Sequence, residues 1–229
     1  MSDSRPSLQK RIVAEALGTG FLVAAVVGSG IMGERLSGGN IAIALLANTI
    51  ATGAALVALI LTFGPISGAH LNPVVTLCMG LRRLLPWKEV MPYVSAQFIG
   101  GILGTVLAHV MFGRELYSLS KHQRSGFPQV VSEFVAALGL LCVIWGCLNI
   151  RSALAVPIAV ASYITAAYWF TASTSFANPA VTVARSITDT FAGIRPVDVP
   201  GFIAAQVAGA VVATVGFRWL AGKERNILK

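Results

Sequence analysis

Two short stretches decide the fold of this chain: His70-Leu71-Asn72-Pro73-Val74-Val75-Thr76 and Phe176-Ala177-Asn178-Pro179-Ala180-Val181-Thr182. In each stretch Asn stands at a helix N-cap position and Pro at the first helical position, which are residue types that helix starts favour. The apolar segments that begin there, 72–82 and 178–188, are too short to cross a bilayer core of about 30 Å. We therefore predict two half-helices that enter the membrane and stop midway.

The rest of the chain has the composition of a membrane protein. Charged residues make up 11% of the sequence and hydrophobic residues 55%, whereas soluble domains carry about 25% charged residues. Continuous apolar runs predict helices and not alternating barrel strands. The six predicted spans are 12–32, 41–64, 90–113, 127–149, 153–174 and 199–221. The first run contains Glu15 and has no clear cleavage site, so we interpret it as a span and not as a signal peptide.

The net charge of +8 comes from basic residues beside the spans, which the positive-inside rule explains better than nucleic-acid binding does. We place both termini in the cytoplasm, because more basic residues then fall inside than outside. The inner set is Arg5, Lys10, Arg11, Arg82, Arg83, Lys88, Arg151, Arg218, Lys223, Arg225 and Lys229, and the outer set is Arg35, Arg114, Lys121, Arg124, Arg185 and Arg195. We expect a multi-pass protein of a plasma membrane, such as the bacterial cytoplasmic membrane.

The chain is internally duplicated, because three patterns recur in the same order at nearly the same spacing. They are a glutamate within an apolar run at Glu15 and Glu133, the Asn-Pro stretches, and an Ala-Gln pair ending at Gln97 and Gln206. Each half contains three spans, so the second half enters the membrane from the opposite side and the repeats are inverted. We predict a single channel domain over 1–229, with repeats 8–113 and 127–222 and a linker at 114–126.

Inverted symmetry brings the starts of the two half-helices together near the middle of the membrane. Each start carries unpaired N–H donors and about half a positive charge from the helix dipole. A cation there meets two positive ends, whereas an uncharged solute meets the side-chain amides of Asn72 and Asn178. The arrangement predicts a pore that selects uncharged molecules.

Four polar residues within the spans are expected to support the two loops. We predict that Glu15 and Glu133 accept hydrogen bonds from loop N–H groups, since an ionisable residue in a span needs an interior partner. A proton relay is the alternative role for these acids. Gln97 and Gln206 are predicted to hold the same loops, and a solute contact is the alternative for them. A lone His such as His70 is more often a structural group than a gate.

These residues resemble the major intrinsic protein family, which comprises aquaporins and aquaglyceroporins. The resemblance rests on Ser67-Gly68-Ala69-His70-Leu71-Asn72-Pro73-Val74, on Asn178-Pro179-Ala180, on both glutamates and on both Ala-Gln pairs, and it covers nearly the whole chain. It implies an all-α membrane protein with six transmembrane helices and two half-helices in an inverted repeat, as an aquaporin-like right-handed bundle. It also implies a pore in each protomer of a homotetramer, constricted at Asn72, Pro73, Val74, Asn178, Pro179 and Ala180.

The sequence departs from the family pattern where a selectivity filter is expected. Family members usually carry Arg after the second Asn-Pro-Ala, but Val181 stands there, and the other filter positions are expected at Thr52, Ala166 and Ser175. Four small residues predict a wide, weakly polar filter that passes glycerol-type polyols, urea and metalloid acids such as arsenous acid. The filter is similar to that of aquaglyceroporins of bacterial arsenic resistance. Arg185 is a candidate pore-mouth charge, with snorkelling to the outer interface as the alternative we favour.

The predicted function is passive passage of water and small uncharged solutes. A water-selective aquaporin is the nearest alternative, and an ion-coupled secondary transporter is an alternative from another class. We expect no enzyme, since no catalytic constellation, metal-ligand spacing or cofactor motif is present. Cys78, Cys142 and Cys147 are predicted to be buried free thiols. The expected partners are small neutral solutes, water and the lipid bilayer, and no nucleic acid.

Overall fold

The computed structural model describes residues 5–148 and 150–221. Three basic residues counted on the inner side, Lys223, Arg225 and Lys229, lie outside this part, as do residue 149 and the predicted repeat end at 222. The described chain contains eight α-helices: α1 (Leu8–Leu36), α2 (Ile41–Ser67), α3 (Pro73–Leu81), α4 (Trp87–Met111), α5 (Phe127–Cys147), α6 (Ala155–Phe170), α7 (Pro179–Arg185) and α8 (Val199–Leu220). A 3₁₀ turn at Pro196–Asp198 precedes α8.

Five of these helices, α1, α2, α4, α5 and α8, are long and apolar enough to cross a membrane. The span predicted at 153–174 is shorter than expected, because α6 has 16 residues and at about 1.5 Å per residue reaches roughly 24 Å. The chain leaves α6 at Phe170 and runs without helix to the second Asn-Pro pair, so the last residues of that predicted span belong to a loop.

The two half-helices are shorter than the predicted segments but begin where the sequence indicated. α3 has 9 residues and α7 has 7, and each has Asn at its N-cap and Pro in its first turn. α3 packs against α4 and α8, and α7 packs against the same two helices and against α1. Both half-helices are therefore enclosed by spans and do not face lipid.

The spans form two corresponding groups. α1 packs along α4 and α2, and α5 packs along α8 and α6, while α2 and α6 join the two groups. Glycines allow the closest crossings: a Cβ on Gly104 would lie 2.2 Å from the carbonyl oxygen of Gly20, and one on Gly209 would lie 2.2 Å from that of Phe134. Helices in membranes often associate through close backbone contact at small residues. Burial of apolar surface contributes little to their association there, because the lipid is itself apolar.

Large apolar side chains cover the outside of the bundle. Phe21, Ile50, Leu103 and Trp169 are each at least half exposed, which in water would be an aggregation hazard but suits hydrocarbon surroundings. The interior contains a continuous apolar cluster together with the buried polar residues Glu15, Glu133, Gln97 and Gln206. The fold is thus an all-helical membrane bundle, as expected, with its polar groups directed inward.

Candidate pore

The two half-helix starts are joined crosswise by their Asn side chains. Nδ2 of Asn72 donates a hydrogen bond to the carbonyl of Ala177 at 2.8 Å, and Nδ2 of Asn178 donates to the carbonyl of Leu71 at 2.8 Å. Each Oδ1 accepts from the backbone of its own half-helix, at Val74 for Asn72 and at Ala180 for Asn178. A side-chain amide carries two N–H bonds. One N–H of each Asn therefore remains for a passing solute.

The loops before the two Asn residues have unusual backbone geometry. Ala69, Leu71, Ser175 and Ala177 have φ between 45° and 49°, in the left-handed region that costs a non-glycine residue about 1–2 kcal/mol. The same alternation occurs in both loops, at three residues and one residue before Asn. Surrounding contacts must hold this conformation, because four such residues are costly in isolation.

Glu15 supplies those contacts for the first loop. Its two carboxylate oxygens accept from the N–H of His70 at 2.9 Å and of Leu71 at 2.7 Å, and also from Ser67 Oγ and Gln97 Nε2. The side chain is completely buried. Four donors on a single side chain fix the loop against α1.

Glu133 does the same for the second loop. It accepts from the N–H of Phe176 and of Ala177, each at 2.9 Å, and from Gln206 Nε2 at 2.6 Å. Gln206 also donates to Thr182 Oγ1, as Gln97 does to Thr76 Oγ1 in the first half. The acids and glutamines of the two halves thus make equivalent contacts that tie the loops to the half-helices.

A cavity of about 120 Å³ passes both Asn residues, which is room for several waters or one small solute. Apolar side chains of the spans cover one wall, among them Leu22, Val26, Leu56, Ile60, Leu140, Ile144, Val156, Val160 and Ile164. The loop residues 68–72 and 175–178 cover the other wall. Among the described residues, no group donates to the carbonyls of Ala69, His70, Ser175 or Phe176. Those carbonyls can therefore accept from a solute, and the pore has an apolar side and a polar side.

A second cavity, of about 570 Å³, lies beside the N-terminal residues Arg5 and Pro6. It shares Gly68 and His70 with the first cavity, so the two meet at these residues. His70 Nδ1 lies 3.1 Å from Thr76 Oγ1, a contact that fits the structural role expected for this His. Beside this cavity, Arg11 forms a bidentate ion pair with Glu89 at 2.6 and 3.0 Å, which joins the starts of α1 and α4.

Three of the four expected filter residues line the first cavity, namely Thr52, Ser175 and Val181. Ala166 does not: it is exposed on the outer face of α6, and the structure corrects that assignment. Tyr168 lines the cavity in its place, and its hydroxyl shares a hydrogen bond of 3.2 Å with Thr52. Counting along the sequence could not locate this residue, because the rotation of α6 depends on its packing.

Arg185 is buried at 2% exposure and lines the cavity, so the favoured alternative of snorkelling to the outer interface is wrong. Its Nε donates to the carbonyl of Ala192, and its guanidinium lies 3.4 Å from the centroid of the Phe176 ring. Arg124, from the predicted linker, lies 5.0 Å from the same ring and donates Nε to the carbonyl of Gly193. Sequence reasoning missed Phe176 and Arg124, since nothing local links them to a pore.

Charged residues outside the spans hold the loops that contain Arg124 and Arg195. Partial burial alone would raise the pKa of Asp198, but hydrogen bonds from Arg195 and from the N–H of Arg124 outweigh it and lower that pKa. Burial, with the nearby charges of Arg124 and Arg185, lowers the pKa of His122. Burial also lowers the pKa of Arg124 to about 10, which leaves it charged at neutral pH. The end of the pore beside Arg124 and Arg185 is therefore positive.

The described part of the chain contains no group of three or more His, Cys, Asp or Glu side chains that could hold a metal ion. Cys78, Cys142 and Cys147 are free thiols, but only Cys78 is buried. The expectation of three buried thiols is thus corrected for the two cysteines of α5, which lie partly toward the outside of the bundle.

Six membrane-crossing or nearly crossing helices, with two half-helices meeting at paired Asn residues around a cavity, define a channel-type membrane bundle. The profile of the major intrinsic protein family matches residues 2–151. The chain is 54% identical to "Aquaglyceroporin AqpS" of Rhizobium meliloti (strain 1021), over 97% of this chain and 94% of that protein. It is 30% identical to "Probable aquaporin AqpM" of Archaeoglobus fulgidus, over 94% of this chain and 98% of that protein. The chain therefore belongs to the major intrinsic protein family.

The fold is also similar to that of a solved aquaglyceroporin from Plasmodium falciparum, with a TM-score of 0.71 at 19% identity over 92% of this chain and 96% of that one. The family and its channel-forming relatives confirm the predicted function in its general form. This protein is a multi-pass membrane channel for the passive passage of water and small uncharged solutes, and it is not an enzyme.

Proposed function

We propose that this channel conducts uncharged solutes larger than water, with glycerol-type polyols, urea and metalloid acids such as arsenous acid as the solute classes. The observation that carries the proposal is Val181, which is buried, lines the cavity and supplies no charge at the position where family members usually have Arg. An absent guanidinium leaves space and removes a fixed cation from that level of the pore.

The apolar wall supports the same solute classes. A polyol has a carbon face and a row of hydroxyl groups, and the cavity offers apolar side chains opposite unpaired loop carbonyls. Such a solute replaces water without leaving its own polar groups unpaired, and apolar contact with its carbons is favourable. The relative with 54% identity bears the name of an aquaglyceroporin, which agrees with this proposal.

Tyr168 makes the filter narrower and more polar than four small residues would have made it. Its hydroxyl is bonded to Thr52, so the ring is held against α2. We therefore base the proposed solute size on Val181 and on the length of the apolar wall, and not on Ala166.

The site is proposed to consist of the two Asn-Pro constriction segments, the filter residues Thr52, Tyr168, Ser175 and Val181, and the buried supports Glu15, Glu133, Gln97 and Gln206. The predicted repeats 8–113 and 127–222 with the linker 114–126 belong to the same proposal. We further propose a homotetramer in the bacterial cytoplasmic membrane. Both termini are proposed to lie in the cytoplasm, and the distribution of basic residues supports this orientation.

The test is flux through proteoliposomes that contain the purified protein. Water, glycerol, urea and arsenous acid are supplied separately as gradients, and empty liposomes give the background. We expect volume recovery in glycerol and urea gradients and uptake of arsenous acid, each proportional to its gradient and insensitive to a proton or sodium potential. Water passage without any of the three solutes would indicate the water-selective alternative, and flux driven by an ion potential would indicate the transporter.

A further inference from the structure

We propose that Arg185 and the hydroxyl of Ser175 form an oxygen-binding station in the filter. Arg185 lies one turn beyond Val181 along α7 and supplies the hydrogen-bond donors that Val181 lacks. The station would bind uncharged solutes that present two oxygen atoms on the same or neighbouring atoms. This inference rests on the proposed function, since it assumes that solutes other than water pass the filter.

The first observation is the state of the Arg185 guanidinium. It lines the cavity and is 2% exposed, and among the described residues only its Nε has a hydrogen-bond acceptor, the carbonyl of Ala192. No carboxylate of the described chain forms an ion pair with it. Buried guanidinium N–H groups need acceptors. The terminal nitrogens are therefore available to an oxygen atom in the cavity.

The second observation is independent of Arg185. Ser175 is 3% exposed and lines the same cavity, and its Oγ has no hydrogen-bond partner among the described residues. An unpaired buried hydroxyl is costly enough that native structures usually provide a partner from protein, water or ligand. Ser175 is one of the residues that line the cavity, so we assign the missing partner of its hydroxyl to a solute oxygen that enters the pore.

Phe176 fixes these two groups relative to each other. It directly follows Ser175 in the chain, and the guanidinium of Arg185 lies 3.4 Å from its ring centroid. Its backbone N–H is bound to Glu133, and its ring packs edge-on against Phe202 at 5.2 Å. A planar guanidinium held flat against a fixed ring loses little freedom on binding, and its parallel N–H bonds match a pair of oxygens.

Arg124 positions the stacked pair of Arg185 and Phe176 and does not contact the solute. It does not line the cavity, and its guanidinium donates to the carbonyls of Ser173 and Gly193. Gly193 directly follows Ala192, whose carbonyl holds Arg185. Arg124 therefore fastens the two loop segments between which Arg185 is placed.

The test compares glycerol, urea and water flux for Ser175→Ala and Arg185→Lys in proteoliposomes. We expect Ser175→Ala to lower glycerol flux relative to water by about threefold, the loss of roughly one hydrogen bond, and Arg185→Lys to lower it by about fivefold or more. Urea flux should fall less, because urea presents a single oxygen. The glycerol concentration that gives half-maximal flux should rise in both variants.

Matched controls separate binding from general damage. Ser186→Ala removes a neighbouring hydroxyl that is bonded to the carbonyl of Val183, and Arg195→Lys makes the same change in an outer residue paired with Asp198; neither residue lines the cavity. Both controls should keep the glycerol to water ratio. If Arg185→Lys does not fold, Ser175→Ala decides, because it removes only one oxygen atom.

The glycerol to water flux ratio of Ser175→Ala also shows when the proposal is wrong. A filter that acts by size alone would pass more glycerol after this change, because the opening widens. An increased or unchanged glycerol to water ratio overturns the station. Failure of the wild-type protein to conduct glycerol, urea or arsenous acid would instead overturn the proposed function, and the two failures are therefore distinguishable.

Discussion

Asn72 Nδ2 lies 2.8 Å from the carbonyl oxygen of Ala177, so the side chain that begins one half-helix binds the loop that precedes the other. The reciprocal bond from Asn178 to Leu71 has the same length. The two Asn residues therefore close the fold at the centre of the cavity, and under the proposed function they also present their remaining N–H groups to the solute.

Replacing either Asn with Ala tests this double role. Asn72→Ala and Asn178→Ala each remove a helix cap and a bond between the loops, so each should destabilise the protein by about 1–3 kcal/mol. Thermal unfolding in detergent measures the effect. Asn40→Ala is the control, because Asn40 caps α2 at Ile43 on an exposed surface. A cost for Asn72→Ala no greater than for Asn40→Ala would contradict the role of the crosswise bond.

We expect Glu15 and Glu133 to hold the loops and not to relay protons. Glu15→Gln and Glu133→Gln place an N–H group against N–H donors, which should cost about 3 kcal/mol or more and sharply lower the yield of folded protein. Glu34→Gln, at an exposed position of α1, should have no effect. A wild-type flux that responds to a proton gradient, together with folded Glu15→Gln protein that conducts solutes without that response, would instead support a relay.

The crossing of α1 and α4 should not tolerate an added methyl group at Gly104. A Cβ on Gly104 would lie 2.2 Å from the carbonyl oxygen of Gly20, whereas one on Gly216 in α8 meets nothing within 4 Å. We expect Gly104→Ala to cost about 1–3 kcal/mol through overpacking. Gly216→Ala should be neutral or slightly stabilising, because Ala favours helix. Equal unfolding temperatures for the two variants would be evidence against this packing.

Val181→Arg should narrow the filter. The new side chain would enter the cavity one turn from Arg185, so glycerol flux should fall several-fold more than water flux, as measured with both gradients on one preparation. Val181→Leu separates bulk from charge and should have a smaller effect. Equal losses of water and glycerol flux in Val181→Arg would count against the filter assignment of this residue.

His122 gives a pH dependence whose direction follows from its surroundings. Burial and the charges of Arg124 and Arg185 lower its pKa in the folded protein, so protonation favours the unfolded chain, where the pKa is about 6.5. Stability relative to His122→Gln should therefore be unchanged above that pH and fall as pH drops below it. The effect should be small, because the burial of this side chain is only partial. A wild-type protein that gains stability over the variant in acid would contradict the assigned shift.

Much of the site was predictable because its chemistry is local. Asn followed by Pro predicts a helix start from backbone geometry alone, and the structure begins α3 and α7 at Pro73 and Pro179. A glutamate in an apolar span needs donors, and the nearest unpaired donors are those of the loops before the half-helices. The prediction of the helix starts required no knowledge of how distant segments meet. The contacts of Glu15 and Glu133 do depend on the fold, because their loop partners lie 55 and 43 residues away in the sequence.

The assignment on α6 failed for a physical reason. A Cβ on Gly53 would lie 2.3 Å from Thr165 Oγ1, so Thr165 faces α2 and this contact sets the rotation of the helix. Residues four apart share a helix face, which directs Ile164 and Tyr168 inward and Ala166 outward. Sequence counting has no access to that rotation, because it arises from side-chain packing between two helices far apart in the chain.

By itself, the sequence determined the membrane class, the duplication, the two half-helix starts and the preference for uncharged solutes, since these follow from hydrophobic length, caps and dipoles within single segments. Only the tertiary structure decided which side chains face the pore. Arg185 shows why: an Arg at the end of a half-helix can extend to water or fold inward. The ring of Phe176 and the carbonyl of Ala192, brought to it by the fold, hold it inward.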